Sequence, residues 1–287
     1  MRTSAVITLP KTLKWVAMKI EKAFLIRPRS IVSLLVLFSG FSGNPDLSAQ
    51  FTDVSEPWGF SGGGKAAFAD YDGDGWMDLY AGKLFHNEQG KAMSPVESSG
   101  LPGGEAIWGD YDNDQRPDLF FFTGAGGLYR NMGEGKFEQV DFPELPTVNS
   151  RGAVWGDFNQ DGRLDLFVGG YEVWEQRVHP DVIFLNQPDG SFKEVWRSPE
   201  GACYSARGVA AADLNEDGKI DVYVSNYRLQ PNHLWLNQGE GKFEESAESY
   251  QAAGIGDGGT INYTGGIQYR VFGHTIGSAL GDLDDDG

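Results

Sequence analysis

The stretch VWGDFNQDGRLDLFVG, residues Val154 to Gly169, decides the fold because the chain repeats its pattern. An apolar segment ends in a small residue, and oxygen-bearing side chains then occupy alternate positions. Asp165 follows, and a second apolar segment comes directly after it. Successive copies begin 40 to 69 residues apart when counted at their first Asp, which is the size of a propeller blade. The other copies are AFADYDGDGWMDLYAG (Ala67 to Gly82), IWGDYDNDQRPDLFFF (Ile107 to Phe122), AAADLNEDGKIDVYVS (Ala210 to Ser225) and the shorter ALGDLDDDG (Ala279 to Gly287).

A second pattern follows each of the first four copies. It places an Asn six positions before an apolar residue, with Gly, Asn or Asp between them, as in LYRNMGEGKF. Such a segment predicts a hairpin in which the Asn opens the turn by bonding its own backbone. The four Asn residues are Asn87, Asn131, Asn186 and Asn237.

The repeating unit is therefore strand, acidic loop, strand, connection, strand, tight turn, strand. Four strands per unit without helical periodicity predict an all-β fold, a β-propeller of four-stranded antiparallel blades with calcium loops. The sequence stops at Gly287, inside the fifth acidic loop. We therefore expect about four and a half blades of a C-terminally truncated propeller that has seven blades when complete, with residues 50–287 forming this domain.

The acidic loops present oxygen ligands at positions 1, 3, 5 and 9, and the backbone carbonyl at position 7 is a further expected ligand. Oxygen ligands without His or Cys favour a hard cation, and this density of carboxylates suits Ca²⁺ better than Mg²⁺. The expected side-chain ligands are Asp70, Asp72, Asp74 and Asp78; Asp110, Asp112, Asp114 and Asp118; Asp157, Asn159, Asp161 and Asp165; Asp213, Asn215, Asp217 and Asp221; and Asp282, Asp284 and Asp286. The expected carbonyl ligands are those of Trp76, Arg116, Arg163 and Lys219.

The EF-hand shares this opening spacing but needs a Glu at position 12, where these loops have Ala81, Phe121, Val168 and Val224. Gly at position 6 permits the sharp turn in most copies. The second loop has Gln115 there and Pro117 at position 8, so it must adopt an uncommon backbone geometry or bend differently. We expect it to be the weakest complete site.

Charge and cysteine content limit the classes of partner. The net charge of −18 disfavours nucleic acid and anionic membranes, whose recognition depends on Lys and Arg. Cys203 is the sole cysteine of the sequence, which excludes an internal disulfide framework and a Cys-based zinc site.

The amino terminus resembles an export signal. Seven basic residues in positions 1–30 precede the apolar run Ile31 to Phe38, which is far shorter than the ~20 residues that span a bilayer. We expect residues 1–49 to be a signal peptide cleaved after Ala49, with Met18 as an alternative start. The mature protein would then be extracellular, at the cell surface or periplasmic, without membrane insertion; an uncleaved amphipathic or anchoring segment is the alternative.

The segments WGDYDND, WGDFNQDGRLDLFVGG and LYRNMGEGKFEQV resemble the FG-GAP/VCBS repeats of bacterial secreted proteins and the calcium blades of integrin α-subunits. The resemblance covers residues 51–287 and, with the opening FTDVS, is closest to the bacterial relatives of cartilage acidic protein, whose propeller often precedes an ASPIC/UnbV domain. It implies calcium at the loop positions named above. The missing disulfides disfavour an integrin-like receptor fragment.

The sequence is compatible with two functions. The first is a secreted calcium-binding propeller that acts as a binding or adhesion module for a glycan or protein surface. The second is a scaffold or appended domain of an extracellular polysaccharide-degrading enzyme. The four His residues share no motif, and the sequence has no nucleophile elbow, zinc signature or phosphate loop, so we expect no enzyme activity and no cofactor except calcium.

Overall fold

The computed structural model describes residues 53–54, 58, 65–124, 126–146, 150–173, 177–227, 230–254, 260–262, 268–270 and 277–278. The chain divides into two units, Met1–Val54 and Ser55–Gly287, and every strand below belongs to the second. The predicted signal peptide and the fifth acidic loop lie outside the described residues. Within the described part, no helix has the length and apolar character needed to cross a membrane.

Four antiparallel four-stranded blades form a β-propeller, as the repeat predicted. Blade 1 contains β1 (Ala67–Ala69), β2 (Asp78–Tyr80), β3 (Leu84–Asn87) and β4 (Met93–Pro95); blade 2 contains β5 (Ala106–Gly109), β6 (Asp118–Phe121), β7 (Gly127–Gly133) and β8 (Lys136–Gln139). Blade 3 contains β9 (Ala153–Gly156), β10 (Asp165–Val168), β13 (Val182–Asn186) and β14 (Phe192–Arg197); blade 4 contains β15 (Ala206–Ala212), β16 (Asp221–Asn226), β17 (His233–Gly239) and β18 (Lys242–Glu245).

Short elements complete the described fold. Blade 3 carries an inserted hairpin of β11 (Glu172–Val173) and β12 (Arg177–Val178), and a second hairpin of β19 (Thr260–Asn262) and β20 (Gln268–Arg270) follows blade 4. A single 3-10 turn over Glu200–Ala202 precedes β15 within the described residues.

The second strands of blades 2 and 3 form the centre of the described core because each is covered on both faces by neighbouring blades. In β6, Phe120 packs with Leu166 of blade 3, whereas Leu119 and Phe121 pack with Tyr80 of blade 1. Alternate side chains of one strand therefore fill two different interfaces between blades. This explains why these strands are nearly uninterrupted apolar runs.

The innermost strands approach each other closely, and the small residue at the end of each of them allows this. A Cβ on Gly109 would lie 2.5 Å from Nε1 of Trp155 in the next blade. The indole of Trp108 likewise contacts blade 1, donating to the carbonyl of Ala67 at 3.1 Å. Phe68 is at the equivalent position in blade 1, but its side chain is 57% exposed, because no described blade precedes blade 1 to cover it.

Candidate metal-binding loops

Each acidic loop joins the first and second strands of its blade, and all four described loops share one hydrogen-bond pattern. In blade 3, Asp157 accepts the backbone N–H groups of Asp161 at 3.0 Å and Gly162 at 2.9 Å. Asn159 accepts the N–H of Asp161 at 3.1 Å. The first carboxylates of the other loops, Asp70, Asp110 and Asp213, make the equivalent bonds.

Loop two keeps this backbone in spite of its sequence. Gln115 has a φ of +70°, close to the +84° of Gly162 at the same position, so the loop adopts the uncommon geometry rather than bending differently. A side chain in this left-handed region is unfavourable relative to Gly. Position 4 is also left-handed in all four described loops, although only one of them has Gly there; it is occupied by Gly73, Asn113, Gln160 and Glu216.

The Asp at position 9 begins the second strand and is buried. Asp118 accepts two backbone N–H groups, from Asn131 at 2.7 Å and from Tyr111 at 3.3 Å. One donor comes from position 2 of the loop and the other from the hairpin Asn. The same pair of bonds holds Asp78, Asp165 and Asp221 in the other blades.

Burial makes these carboxylates difficult to ionise. It raises the pKa of Asp118 to about 7, and the neighbouring carboxylates of Asp112 and Asp114 act in the same direction, against the two backbone N–H groups. The pKa values of Asp78 and Asp165 are raised to about 6 for the same main reason, and that of Asp221 is also raised. A cation bound among these oxygens would offset both the free-energy cost of burying the charged carboxylates and the repulsion between them. The residues therefore fit a bound metal ion.

The structure brings positions 1, 3 and 9 together. Carboxylate oxygens of Asp110, Asp112 and Asp118 lie within 4.8 Å of one another. Those of Asp70, Asp72 and Asp78 do the same in blade 1. These groups could hold a metal ion. In blades 3 and 4, loop position 3 is an Asn, namely Asn159 and Asn215.

In blades 2, 3 and 4, position 5 has a different environment, because a basic side chain at position 7 pairs with it. Lys219 Nζ lies 2.6 Å from Asp217, and the guanidinium groups of Arg116 and Arg163 contact Asp114 and Asp161. Sequence reasoning assigned only the backbone carbonyls of these position 7 residues to the site.

Two further neighbours of the loops were missed. His86 Nδ1 lies 3.1 Å from Asp72, and Arg130 Nε lies 2.7 Å from Asp112. Both residues immediately precede a hairpin Asn, and leucines occupy the equivalent positions in blades 3 and 4. Because the hairpin Asn binds the loop, the residue before it could have been identified as a neighbour of the site.

The hairpin Asn residues also join adjacent blades. Asn131 closes its own turn by accepting the N–H of Gly133 at 2.9 Å, as predicted. Its side-chain amide also donates to the carbonyl of Tyr71 in the loop of blade 1, at 2.8 Å. Asn237 makes the same bond to Phe158 in blade 3, at 2.9 Å.

The loops and hairpins described above coincide with a known repeat. The FG-GAP-like repeat family matches residues 110–168 and 173–224, which contain loops two, three and four. The chain is a β-propeller protein with FG-GAP-like repeats. The FG-GAP propeller is, in general terms, the fold of a binding module.

Two similar proteins accompany this match. This chain is 37% identical over 59 residues to Cartilage acidic protein 1 of Xenopus tropicalis. The aligned segment covers 20% of this chain and 9% of that protein. It is also similar to a solved structure of an Agrocybe aegerita lectin, described by its specific recognition of non-reducing terminal N-acetylglucosamine. That similarity has a TM-score of 0.42 and 20% identity, and covers 63% of this chain and 51% of the other.

Proposed function

We propose that the chain is a secreted calcium-binding propeller that acts as a binding or adhesion module for a glycan or protein surface. The observation that carries the metal assignment is the convergence of Asp110, Asp112 and Asp118, whose oxygens lie within 4.8 Å of one another although Asp118 is fully buried. Anionic oxygens held this close repel one another, and a bound cation would stabilise their ionised form.

The ligand chemistry supports calcium among the divalent cations. Loops two, three and four offer carboxylate, amide and backbone oxygens, which are ligands of hard cations. Mg²⁺ requires a small, nearly ideal octahedral shell and retains waters, whereas Ca²⁺ accepts more oxygens in a flexible geometry. Loop one adds a nitrogen neighbour, His86, and is the loop in which another divalent ion would compete best.

Calcium would contribute to the stability of the propeller, which presents the binding surface. If the affinity of each site lies in the extracellular range, millimolar calcium contributes roughly 0.4 to 1.4 kcal/mol per site. Several such sites together are comparable to a substantial part of the ~5–15 kcal/mol stability of a domain. We propose no catalytic role for the chain.

Calorimetry and thermal melting test the calcium assignment. We expect at least three calcium ions to bind, and a higher melting temperature in calcium than in chelator, with magnesium giving a smaller shift. Asp161→Asn should remove part of this shift, whereas Asp189→Asn, which changes an exposed acid in a hairpin turn, should not. An unchanged melting temperature and no heat on adding calcium would reject the proposal.

Export is tested separately. The basic segment and the apolar run before Ala49 support a cleaved signal peptide. Amino-terminal sequencing of exported protein should therefore begin near Gln50. Recovery of the intact segment on soluble protein inside the cell would reject secretion without affecting the calcium proposal.

A further inference from the structure

A group of charged side chains lies at the end of the blades opposite the acidic loops. One residue from each blade contributes, at or just before the start of the innermost strand: Lys65, Glu105, Arg151 and Arg207. The acidic loops begin where those strands end. Arg207 is the second residue of β15 and Asp213 directly follows its last residue, so the two are about 20 Å apart at ~3.3 Å per residue. We call these four residues the basic cluster.

The side chains of the basic cluster converge although they are distant in sequence. Lys65 Nζ lies 3.5 Å from Glu105 Oε2, and an Arg151 nitrogen lies 3.8 Å from Glu105 Oε1. Lys65 also donates to the backbone carbonyl of Arg151 and, at 3.5 Å, to that of Arg207. A lysine of blade 1 thus reaches the strand ends of blades 3 and 4.

The charges of the basic cluster are not balanced. Lys65 and Arg151 share the single carboxylate of Glu105, and Arg207 adds a third positive charge, in a chain whose net charge is −18. Within the described residues, the Nε atoms of Arg151 and Arg207 are buried and have no hydrogen-bond partner. Partial burial lowers the pKa of Lys65; Glu105 opposes this effect, and Arg151 and Arg207 add to it. Excess positive charge is therefore concentrated at one point of an acidic protein.

Aromatic rings hold the two guanidinium groups in place. The Cζ atoms of Arg151 and Arg207 lie 5.6 Å and 5.7 Å from the ring centroid of Tyr171. Arg207 also lies 4.5 Å from the ring of Tyr227. A guanidinium held against a ring keeps its N–H donors at its edges, and those donors match the two oxygens of a carboxylate.

We propose that the basic cluster binds the carboxylate group of an acidic ligand. Fixed guanidinium groups, unused N–H donors and uncompensated positive charge are together the requirements for recognising an oxyanion. The acidic surroundings disfavour a polyanion, so the ligand carries an isolated carboxylate on an otherwise neutral molecule. This inference deepens the binding-module function proposed above by naming a ligand class, and it does not depend on the metal-binding loops.

Glucuronate, with glucose as its neutral counterpart, is the first probe, titrated by calorimetry into the full chain in calcium. N-acetylalanine tests a carboxylate of the peptide type, and inorganic phosphate tests a different oxyanion. We expect one or both carboxylates to bind, glucose not to bind, phosphate to bind more weakly, and added salt to weaken the carboxylate complex. Equal binding of glucose, tighter binding of phosphate, or no binding of either carboxylate would overturn the proposal.

Variants assign the binding to these residues. Arg151→Gln and Arg207→Gln should each weaken carboxylate binding by about tenfold or more, as expected for a lost charged hydrogen bond. Arg197→Gln, the same change at an exposed arginine paired with Glu194, should leave it unchanged. Glu105→Gln should strengthen binding severalfold, because it removes the competing carboxylate.

The Glu105 variant keeps the test valid if an arginine variant folds poorly. A gain in affinity cannot arise from partial unfolding, so tighter binding by Glu105→Gln would support the proposal. Weaker binding by this variant, with normal calcium heats, would count against the proposal. Calcium heats are measured on every variant. Normal calcium binding with no carboxylate binding would overturn this inference alone, whereas carboxylate binding without calcium binding would overturn the metal proposal alone.

Discussion

Asn186 of blade 3 donates its side-chain amide to the backbone carbonyl of Tyr111, in the acidic loop of blade 2, at 2.7 Å. The backbone N–H of the same Asn donates to Asp165, the buried position 9 carboxylate of its own blade, at 2.9 Å. One hairpin residue therefore contacts the loops of two blades. The geometry of the metal-binding loops of blades 1 to 3 therefore depends on the blade that follows each of them, because the hairpin Asn of that blade supplies the connection.

Replacing Asn186 by Ala should destabilise the propeller more than an ordinary polar substitution. The change leaves the buried carbonyl of Tyr111 without its donor, which costs about 1–3 kcal/mol. Urea denaturation in calcium measures this free energy of unfolding. Asn113→Gly is the control: Asn113 also bridges blades 2 and 3, at 3.2 Å to Gly162, but is exposed, and glycine retains its positive φ. Equal losses in both variants would contradict the role of Asn186.

Gly109 provides a test of how closely the inner strands pack. A methyl group there would lie 2.5 Å from Nε1 of Trp155, so Gly109→Ala should cost about 1–3 kcal/mol through overpacking. Gly103→Ala is the matched control, because no atom lies within 4 Å of its added Cβ and its φ is not positive. Thermal denaturation compares the two. If Gly109→Ala has the same melting temperature as the parent chain, the blades are less tightly packed than the structure shows.

The blade architecture was predictable because it depends on local patterns. The loop of Val154 to Gly169 contains its own strand ends, and the alternation of oxygen ligands recurs in every copy. The bond between Asn186 and Tyr111 was not predictable, since the two residues are 75 positions apart and their pairing depends on how blades stack. Asn predicted a turn, and only tertiary packing shows its second role.

The basic cluster was not predictable for a different reason. Its members precede the first Asp of their loops by five residues in blades 1 and 2 and by six in blades 3 and 4, so the spacing is not constant. One of the four is Glu105, so the charge is not constant either. Inner strands converge at the axis of a propeller, which places one residue from each blade side by side. The exposure of Phe68 is likewise a consequence of blade order rather than of residue type.

Arg130 should compete with calcium in loop two. Its guanidinium lies 2.7 Å from Asp112 and 3.2 Å from Asp114, where it neutralises carboxylates that would otherwise bind the cation. Arg130→Gln should therefore raise the calcium affinity of this loop by up to about fivefold, the equivalent of an exposed ion pair. Calcium titration of the parent chain and the variant measures the change, with Arg197→Gln as the control. A lower affinity would show that Arg130 supports the loop instead.

Loss of a position 5 carboxylate should have unequal effects in different loops. Asp161→Ala or Asp217→Ala should reduce the calcium-dependent rise in melting temperature more than Asp114→Ala. The reason is that loop two already has two guanidinium groups on Asp114 and a left-handed Gln115. Melting curves with and without calcium provide the comparison. Equal reductions in all three variants would refute this ranking of the sites.

The calcium-free protein should lose stability as the pH rises from 5 to 7.5. Burial raises the pKa of Asp118 to about 7 and that of Asp165 to about 6, above the value of ~3.8–3.9 that Asp has in an unfolded chain. The folded state therefore binds more protons than the unfolded state between about pH 4 and 7, so the free energy of unfolding falls with pH in that window. Calcium should remove this fall, because its affinity increases as the carboxylates lose their protons.

Urea denaturation at several pH values, in chelator and in calcium, measures both trends. The carboxyl carbon signal of Asp118 adds a residue-specific reading by NMR, with a midpoint near pH 7 in chelator and a lower one in calcium. Asp189, an exposed carboxylate whose pKa is lowered by hydrogen bonds from Ser191, should titrate below the usual range in both conditions. Calcium-free stability that stays level or rises from pH 5 to 7.5 would mean that the buried carboxylates are not held near their neutral form.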